Sequence, residues 1–339
     1  MDSKLLDNGV GYIQVSEFQT NTASQFEDAL DGLTNQGMKG LIVDLRANPG
    51  GLLTAVTEMV DRLLPAETVG KLPAGTVVYT KDKNGNIQTF GDDDGKQIDC
   101  PIVVLVDENS ASASEIFAGA MKDYNEDGYI DATLVGKKTF GKGIVQTIYN
   151  LSDGDAVKIT TSKYYTPNGH NIHKKGIEPD VEVDYEYTGD TNADYDMQYD
   201  VQLQKAIEVM NESLNKIACF LMLCWMVVIF MFSAEPDTES SELSGSVSYR
   251  IVSVVNTITA SHWDENELLD KAELIDYPVR KCAHMSEYAI LTLLGFLTFS
   301  FLHGRRRFLI PIGVTFLYAC TDEFHQLFVP GRPADSRTY

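Results

Sequence analysis

Ile102-Val-Val-Leu-Val106-Asp-Glu-Asn-Ser110-Ala-Ser112-Ala-Ser114-Glu115-Ile116-Phe-Ala-Gly-Ala-Met121 is the stretch that decides the fold of the first 215 residues of this 339-residue chain. Five consecutive apolar residues with no polar alternation read as a strand buried on both faces. The run enters a serine-rich turn and then the helical pattern Ile116–Met121. Ser112 and Glu115 stand at the S-x-x-E spacing of a capping box. Ser112 is therefore expected where a strand turns into a helix, with backbone N–H groups free to meet an anion.

Working outward, strands and helices alternate. Val10-Gly-Tyr-Ile-Gln-Val15 reads as a strand. Thr20 to Leu33 reads as a helix with Phe26, Ala29, Leu30 and Leu33 on one face. Leu41-Ile-Val-Asp-Leu45 repeats the buried-strand pattern and is broken by Asn48-Pro-Gly-Gly51, after which Leu52 to Leu64 is helical. Asn84-Gly85 marks a hairpin turn between Val77-Val-Tyr79 and Ile87-Gln-Thr-Phe90. Val157 to Tyr165 is a further strand. Leu203, Ile207, Met210 and Leu214 give a final amphipathic helix. The pattern predicts a mixed β/α core of the α/β class over residues 1–215.

At Ile217 the composition changes. Ile217 to Phe232 contains no charge and is near the lower length for a membrane span. Ala289 to Leu302 and Phe308 to Cys320 are two further apolar runs. Residues 216–339 are accordingly expected to form an all-α transmembrane domain in contact with the lipid bilayer.

The formal net charge is −22, which leaves nothing to neutralise phosphates and excludes a nucleic-acid partner. Cys100, Cys219, Cys224, Cys282 and Cys320 follow neither a disulfide nor a zinc spacing and read as small buried hydrophobes. The polar start Met1–Gly9 carries no signal-peptide pattern. Asp123-Tyr-Asn125-Glu-Asp127-Gly128-Tyr-Ile130-Asp131 imitates nine positions of a calcium loop, but Leu134 stands where a carboxylate is needed. A polar hairpin turn is the preferred reading, and no metal or cofactor is expected.

The chemistry centres on Ser112 and on Phe140-Gly141-Lys142-Gly143. A serine hydroxyl attacks poorly until a base removes its proton. A lysine amine can be that base in a desolvated setting, and flanking glycines let its backbone approach. The only histidines of residues 1–215, His170 and His173, lie in a polar loop. Ser110 and Ser114 compete with Ser112 on residue type alone.

Five motifs occur in order: Asp44-Leu-Arg-Ala-Asn-Pro-Gly-Gly51, Glu108-Asn-Ser-Ala-Ser-Ala-Ser-Glu-Ile116, Thr139-Phe-Gly-Lys-Gly-Ile-Val-Gln146, Tyr164-Tyr-Thr-Pro-Asn-Gly169 and Lys175-Gly-Ile-Glu-Pro-Asp180. Together they resemble the carboxyl-terminal processing peptidases, or tail-specific proteases, from about Gly11 to Leu214. The resemblance implies Ser112 as nucleophile, Lys142 as general base and Gln146 as the residue positioning the lysine amine. It implies an oxyanion hole from the Ala113 amide and an amide of Gly50 or Gly51. It also implies hydrolysis of protein or peptide substrates near their C-termini through an acyl-enzyme. In that family a PDZ domain precedes the Val-Gly-Tyr-Ile strand, with which this chain nearly begins. The Ser112–Lys142 spacing is also longer than the family pattern, with the excess between Asp123 and Leu134.

A second set, Phe232-Ser-Ala-Glu-Pro236, Arg280-Lys-Cys-Ala-His284-Met-Ser-Glu287-Tyr288 and Thr321-Asp322-Glu323-Phe-His325-Gln-Leu-Phe-Val-Pro-Gly-Arg332, is similar to VanZ-like membrane proteins, a family linked to glycopeptide resistance. His284, Glu287, Asp322, Glu323 and His325 are the candidate polar cluster at membrane depth, the alternative being interfacial caps. Arg305-Arg-Arg307 favours a cytoplasmic turn after the second run, whereas the peptidase resemblance implies a membrane protein with its peptidase domain outside the cytoplasm. The rival to a membrane-tethered endopeptidase is a non-catalytic peptidase remnant carried by the VanZ-like part. Oligomeric state is open.

Overall fold

The computed structural model describes residues 1–65, 72–91, 97–152, 154–191, 193–234, 237–299, 305–326 and 328. The chain divides into two compact units, Met1–Leu214 and Asn215–Tyr339.

The first unit is built on a six-stranded sheet. Its strands are β1 (Asp2–Leu5), β2 (Val10–Gln14), β3 (Gly40–Asp44), β6 (Ile102–Val106), β7 (Ala132–Gly136) and β10 (Val181–Glu182), adjacent in that order. β1 is antiparallel to β2, and β2 through β10 are parallel. Between these strands run α1 (Thr22–Asn35), α2 (Leu53–Asp61) and α3 (Ala113–Glu126). They bury Phe26, Leu30, Val56, Met59, Phe117, Met121 and Tyr124 against Ile13, Leu41, Val43, Ile102 and Val104 of one sheet face. The other face, with Tyr12, Ile42, Val103, Leu105 and Val135, is covered by Leu203, Ala206 and Met210. These belong to α4 (Val201–Ser233). Two covered faces are why β3 and β6 lack polar alternation. A second sheet, antiparallel in the order β5-β4-β9-β8, comprises β4 (Thr76–Asp82), β5 (Ile87–Gly91), β8 (Ile144–Asn150) and β9 (Ala156–Tyr165).

The structure departs from the sequence expectation at two places. The stretch 123–131 forms neither a calcium loop nor a hairpin turn. The apolar face Phe117, Met121, Tyr124 carries α3 on to Glu126, so Asp123 and Asn125 are helical. The strand that follows, β7, runs parallel to β6, a connection that no hairpin can make. Nor are the cysteines buried: Cys224, Cys282 and Cys320 are exposed and Cys100 and Cys219 half-buried.

The second unit is helical, with the rest of α4, then α5 (Asp237–Thr259), α6 (Glu265–Thr298) and α7 (Arg306–Gln326). Met222, Ile229 and Leu291 form its buried core. Of the three expected spans, only the first lies on a helix long and apolar enough to cross a membrane, among the described residues. That helix, α4, reaches a mean hydropathy of 2.2 over 18 residues. The second and third runs fall on α6 and α7, which also carry charged and hydroxyl side chains. Residues 300–302 of the second run lie outside the described residues, as do Glu235 and Pro236 of the first VanZ-like motif and Leu327 and residues 329–332 of the last.

Candidate active site

Parallel strands in the order β3-β6-β7 present their carboxyl ends side by side, the edge at which α/β sheets hold their sites. The loop after β3 carries Asn48-Pro-Gly-Gly51, the loop after β6 the three serines, and the loop after β7 carries Lys142. Backbone bonds tie the loops together. The Ala111 amide donates to the Asn48 carbonyl at 3.0 Å, and the Phe140 amide to the Ser110 carbonyl at 3.0 Å.

The three serines separate into different environments. Ser110 is fully buried, and its hydroxyl donates to the Leu45 carbonyl at 2.8 Å while accepting the Asp107 amide at 2.9 Å. Ser114, also fully buried, donates to the Asn48 carbonyl at 2.9 Å. Both hydroxyls hold loops together. Ser112 is half-buried at the cap of α3 with φ 55° and ψ −110°, a strained backbone for a non-glycine residue. Strain of this kind concentrates at functional sites. The Ala113 amide next to it donates to no described acceptor.

Glu115 joins the serine loop to the lysine loop. The expected capping box is formed, with the Ser112 amide 2.9 Å from Glu115 Oε2. The same carboxylate, 0% exposed, also accepts the Lys142 amide at 2.8 Å, the Gly141 amide at 2.6 Å and the Thr139 hydroxyl at 2.7 Å. Gly141 takes φ 92°, and Gly143 lies so close to the His173 backbone that a Cβ would collide with it. The Lys142 side chain is exposed and makes no hydrogen bond or ion pair to a described residue. Gln146 is exposed on β8, with its amide 3.5 Å from the Thr160 hydroxyl. On a strand its four-residue step from Lys142 spans about 13 Å, against about 6 Å on a helix.

The two glycines of the first loop differ. Gly50 donates its amide to Asn48 Oδ1 at 2.9 Å. Its φ is 104°, and a Cβ there would stand 2.7 Å from the Ala111 carbonyl and 2.8 Å from Ser112 Cβ. Only glycine fits so close to the serine. Gly51 is exposed, with φ 146° and an amide that has no described acceptor.

A family model, Peptidase family S41, matches residues 9–183. The chain belongs to peptidase family S41. A second model, VanZ/LLP1, matches residues 218–337. The carboxyl-terminal-processing protease of Synechocystis sp. is 44% identical over 184 residues, 54% of this chain and 40% of its own length. A probable CtpA-like serine protease of Staphylococcus aureus is 44% identical over 176 residues, 52% of this chain and 33% of its own. This S41 chain thus spans less than half the length of these curated relatives. The solved photosystem II D1 C-terminal processing protease is 38% identical, with a TM-score of 0.45 over 52% of this chain and 42% of that one.

In the VanZ-like unit the Tyr288 hydroxyl donates to Asp322 Oδ2 at 2.7 Å, and Gln326 donates to the same oxygen at 2.9 Å. His284 Nδ1 lies 3.3 Å from Glu287 Oε2 one turn away. Glu323 is exposed, and the His325 ring centroid lies 4.6 Å from that of Phe230. Among the described residues no group of three or more His, Cys, Asp or Glu side chains is arranged to hold a metal ion.

The linking role of Glu115 was missed by sequence reasoning, which read it only as a cap partner. The available signal was an acid expected on the buried side of a helix, where several donors must converge on it.

Proposed function

We propose that the S41 unit is a serine endopeptidase that cleaves protein substrates near their C-termini. Ser112 Oγ gives its proton to the Lys142 amine and attacks the scissile carbonyl. The oxyanion is received by the amides of Ala113 and Gly51, and the lysine returns the proton to the leaving amine. Water then releases the acyl group by the same route. Gln146 orients the amine once substrate lies across the site. Gly51 is preferred to Gly50 because the Gly50 amide is already bonded within its loop. The observation that carries this reading is the buried Glu115 carboxylate, which holds the amides of Ser112 and Lys142 on one oxygen. A substrate chain over the exposed Lys142 turn would exclude water from it.

The apolar half of α4 is proposed as a membrane span, because Phe220, Leu223, Val227 and Met231 are exposed, as in a lipid-facing helix rather than a soluble core. The peptidase unit is placed outside the cytoplasm in this reading.

The test is hydrolysis of an unfolded protein with an apolar C-terminus by the full chain in detergent, beside Ser112→Ala and Lys142→Ala. Loss in both variants supports the dyad. Equal rates in all three remove it. An inactive wild type favours the remnant reading, to which the solvent exposure of Lys142 points. Protease accessibility in intact cells tests the orientation.

A further inference from the structure

Arg46 lies two residues before Asn48 and five before Gly51, at the root of the oxyanion loop. Its side chain is only 11% exposed. Nε and Nη2 donate to Asp44 Oδ1 and Oδ2 at 2.9 and 2.6 Å. Nη1 reaches the other way, to Asp200 Oδ1 at 3.0 Å and Gln202 Oε1 at 3.2 Å. The guanidinium is thus held between carboxylates from two distant parts of the chain, both essentially buried. Burial alone would favour a neutral Arg46, but Asp44 and Asp200 outweigh it and hold the group protonated.

The far side of this clamp is itself fixed. Asp200 accepts the Tyr195 hydroxyl at 2.7 Å and the Leu203 amide at 3.0 Å, and Gln202 donates to the Val183 carbonyl at 2.7 Å. Beyond Arg46 the loop stays strained. Ala47 has φ 55° and is tied to Asp107 by its amide at 3.0 Å. Asn48 then carries the serine loop through its carbonyl. Tyr195, Asp200 and Gln202 all lie beyond residue 183, where the family match ends.

We propose that Asp200 and Gln202, from outside the family-matched segment, are positioning residues that act through Arg46 to hold the Ala47–Gly51 loop and its oxyanion-binding amide in place. A planar fork engaged on both sides fixes the direction of the chain leaving it, which a point-charge lysine cannot do. The inference rests on the proposed roles of Ser112, Ala113 and Gly51. A loop amide displaced by an ångström would cost the tetrahedral intermediate far more than the bound substrate.

The experiment uses the full chain in detergent, as wild type, Asp200→Asn, Arg46→Lys and Ser112→Ala. It reads kcat and KM on an unfolded protein substrate, affinity for a peptide boronate that forms a tetrahedral adduct, and amide hydrogen exchange by residue. In Asp200→Asn and Arg46→Lys, kcat falls about 100-fold with KM unchanged, and boronate affinity falls in step. Exchange of the bonded amides of Ala47, Asn48 and Gly50 quickens at least about tenfold while Leu41–Val43 keep the wild-type rate. Unchanged exchange at Ala47, Asn48 and Gly50, or equal quickening along all of β3, overturns the inference. If the wild type shows no Ser112-dependent hydrolysis, the peptidase reading fails and the exchange pattern alone decides the clamp. Should Asp200→Asn not fold, Gln202→Ala removes one neutral contact and carries the same expectation in smaller measure.

Discussion

Glu115 accepts the backbone amide of Lys142 at 2.8 Å, on the same Oε2 that accepts the amide of Ser112 at 2.9 Å. One buried side chain thus joins the loops that carry Ser112 and Lys142. Glu115→Ala would strand the amides of Ser112, Gly141 and Lys142 and the Thr139 hydroxyl. Unsatisfied buried donors cost roughly 1–3 kcal/mol each, partly offset by relaxation, so a loss of about 3–5 kcal/mol is expected in urea unfolding. Glu115→Gln, which keeps one acceptor oxygen, should lose less. Equal stability of Glu115→Ala and wild type would show that the loops hold each other without it.

The three serines should respond differently to substitution. Ser110→Ala and Ser114→Ala each remove a buried bond between loops and should cost about 1–2 kcal/mol. Ser112→Gly should abolish hydrolysis and yet stabilise the fold by about 0.5–1 kcal/mol, because glycine adopts φ 55° without strain. Thermal unfolding beside an activity assay separates the two kinds of serine. A Ser112→Gly variant less stable than wild type would refute the strain argument.

Asp123 gives a pH dependence with a defined sign. Burial raises its carboxyl above the ordinary 3.8, against the opposing pull of Thr166, Asn168 and His170. The folded state therefore holds this proton more tightly than the unfolded chain. Its contribution to stability is complete below the unfolded value and is lost as pH rises through the folded one. Relative to Asp123→Asn, the wild type should lose stability as the pH of urea titrations is raised from 3.5 towards neutrality, at about half-unit steps. An advantage of the wild type that grows with pH would contradict the burial argument.

Cys100 should react slowly. Burial, with the Asp99 charge added, pushes its thiol up to about 11. At pH 8 its thiolate fraction, and with it the rate of alkylation by iodoacetamide, should be about a hundredfold below that of the same cysteine in the urea-unfolded chain. Peptide mass spectrometry after timed labelling reads this directly.

Much of the first unit was legible because each element carried one strong periodic signal. The doubly buried strands at 41–45 and 102–106, the Asn84-Gly85 turn and the amphipathic pattern after Leu203 all correspond to observed elements. What escaped was non-local or masked by acids. β7, Ala132–Gly136, is short and follows a run of carboxylates that suggested a loop. The bonds of Glu115 to residues 139–142 and of Arg46 to Asp200 join distant positions, and no spacing rule reports such pairs. In the helical unit the sequence led to three similar apolar runs. Polar neighbours such as Thr292, Thr315 and Asp322, some bonded between helices, leave only α4 apolar enough among the described residues.

The pairing of β3 with β6 joins residues about 60 positions apart in the chain, and β7 must then add beyond β6. Closing so long a loop is entropically costly and slow compared with local folding. During synthesis, the serine turn and the lysine turn can face each other only after the ribosome has released everything up to the Lys142 loop. A nascent or half-folded chain would therefore hold Ser112 and Lys142 on separate, unjoined segments. Strand order alone sets the moment at which the two turns can meet.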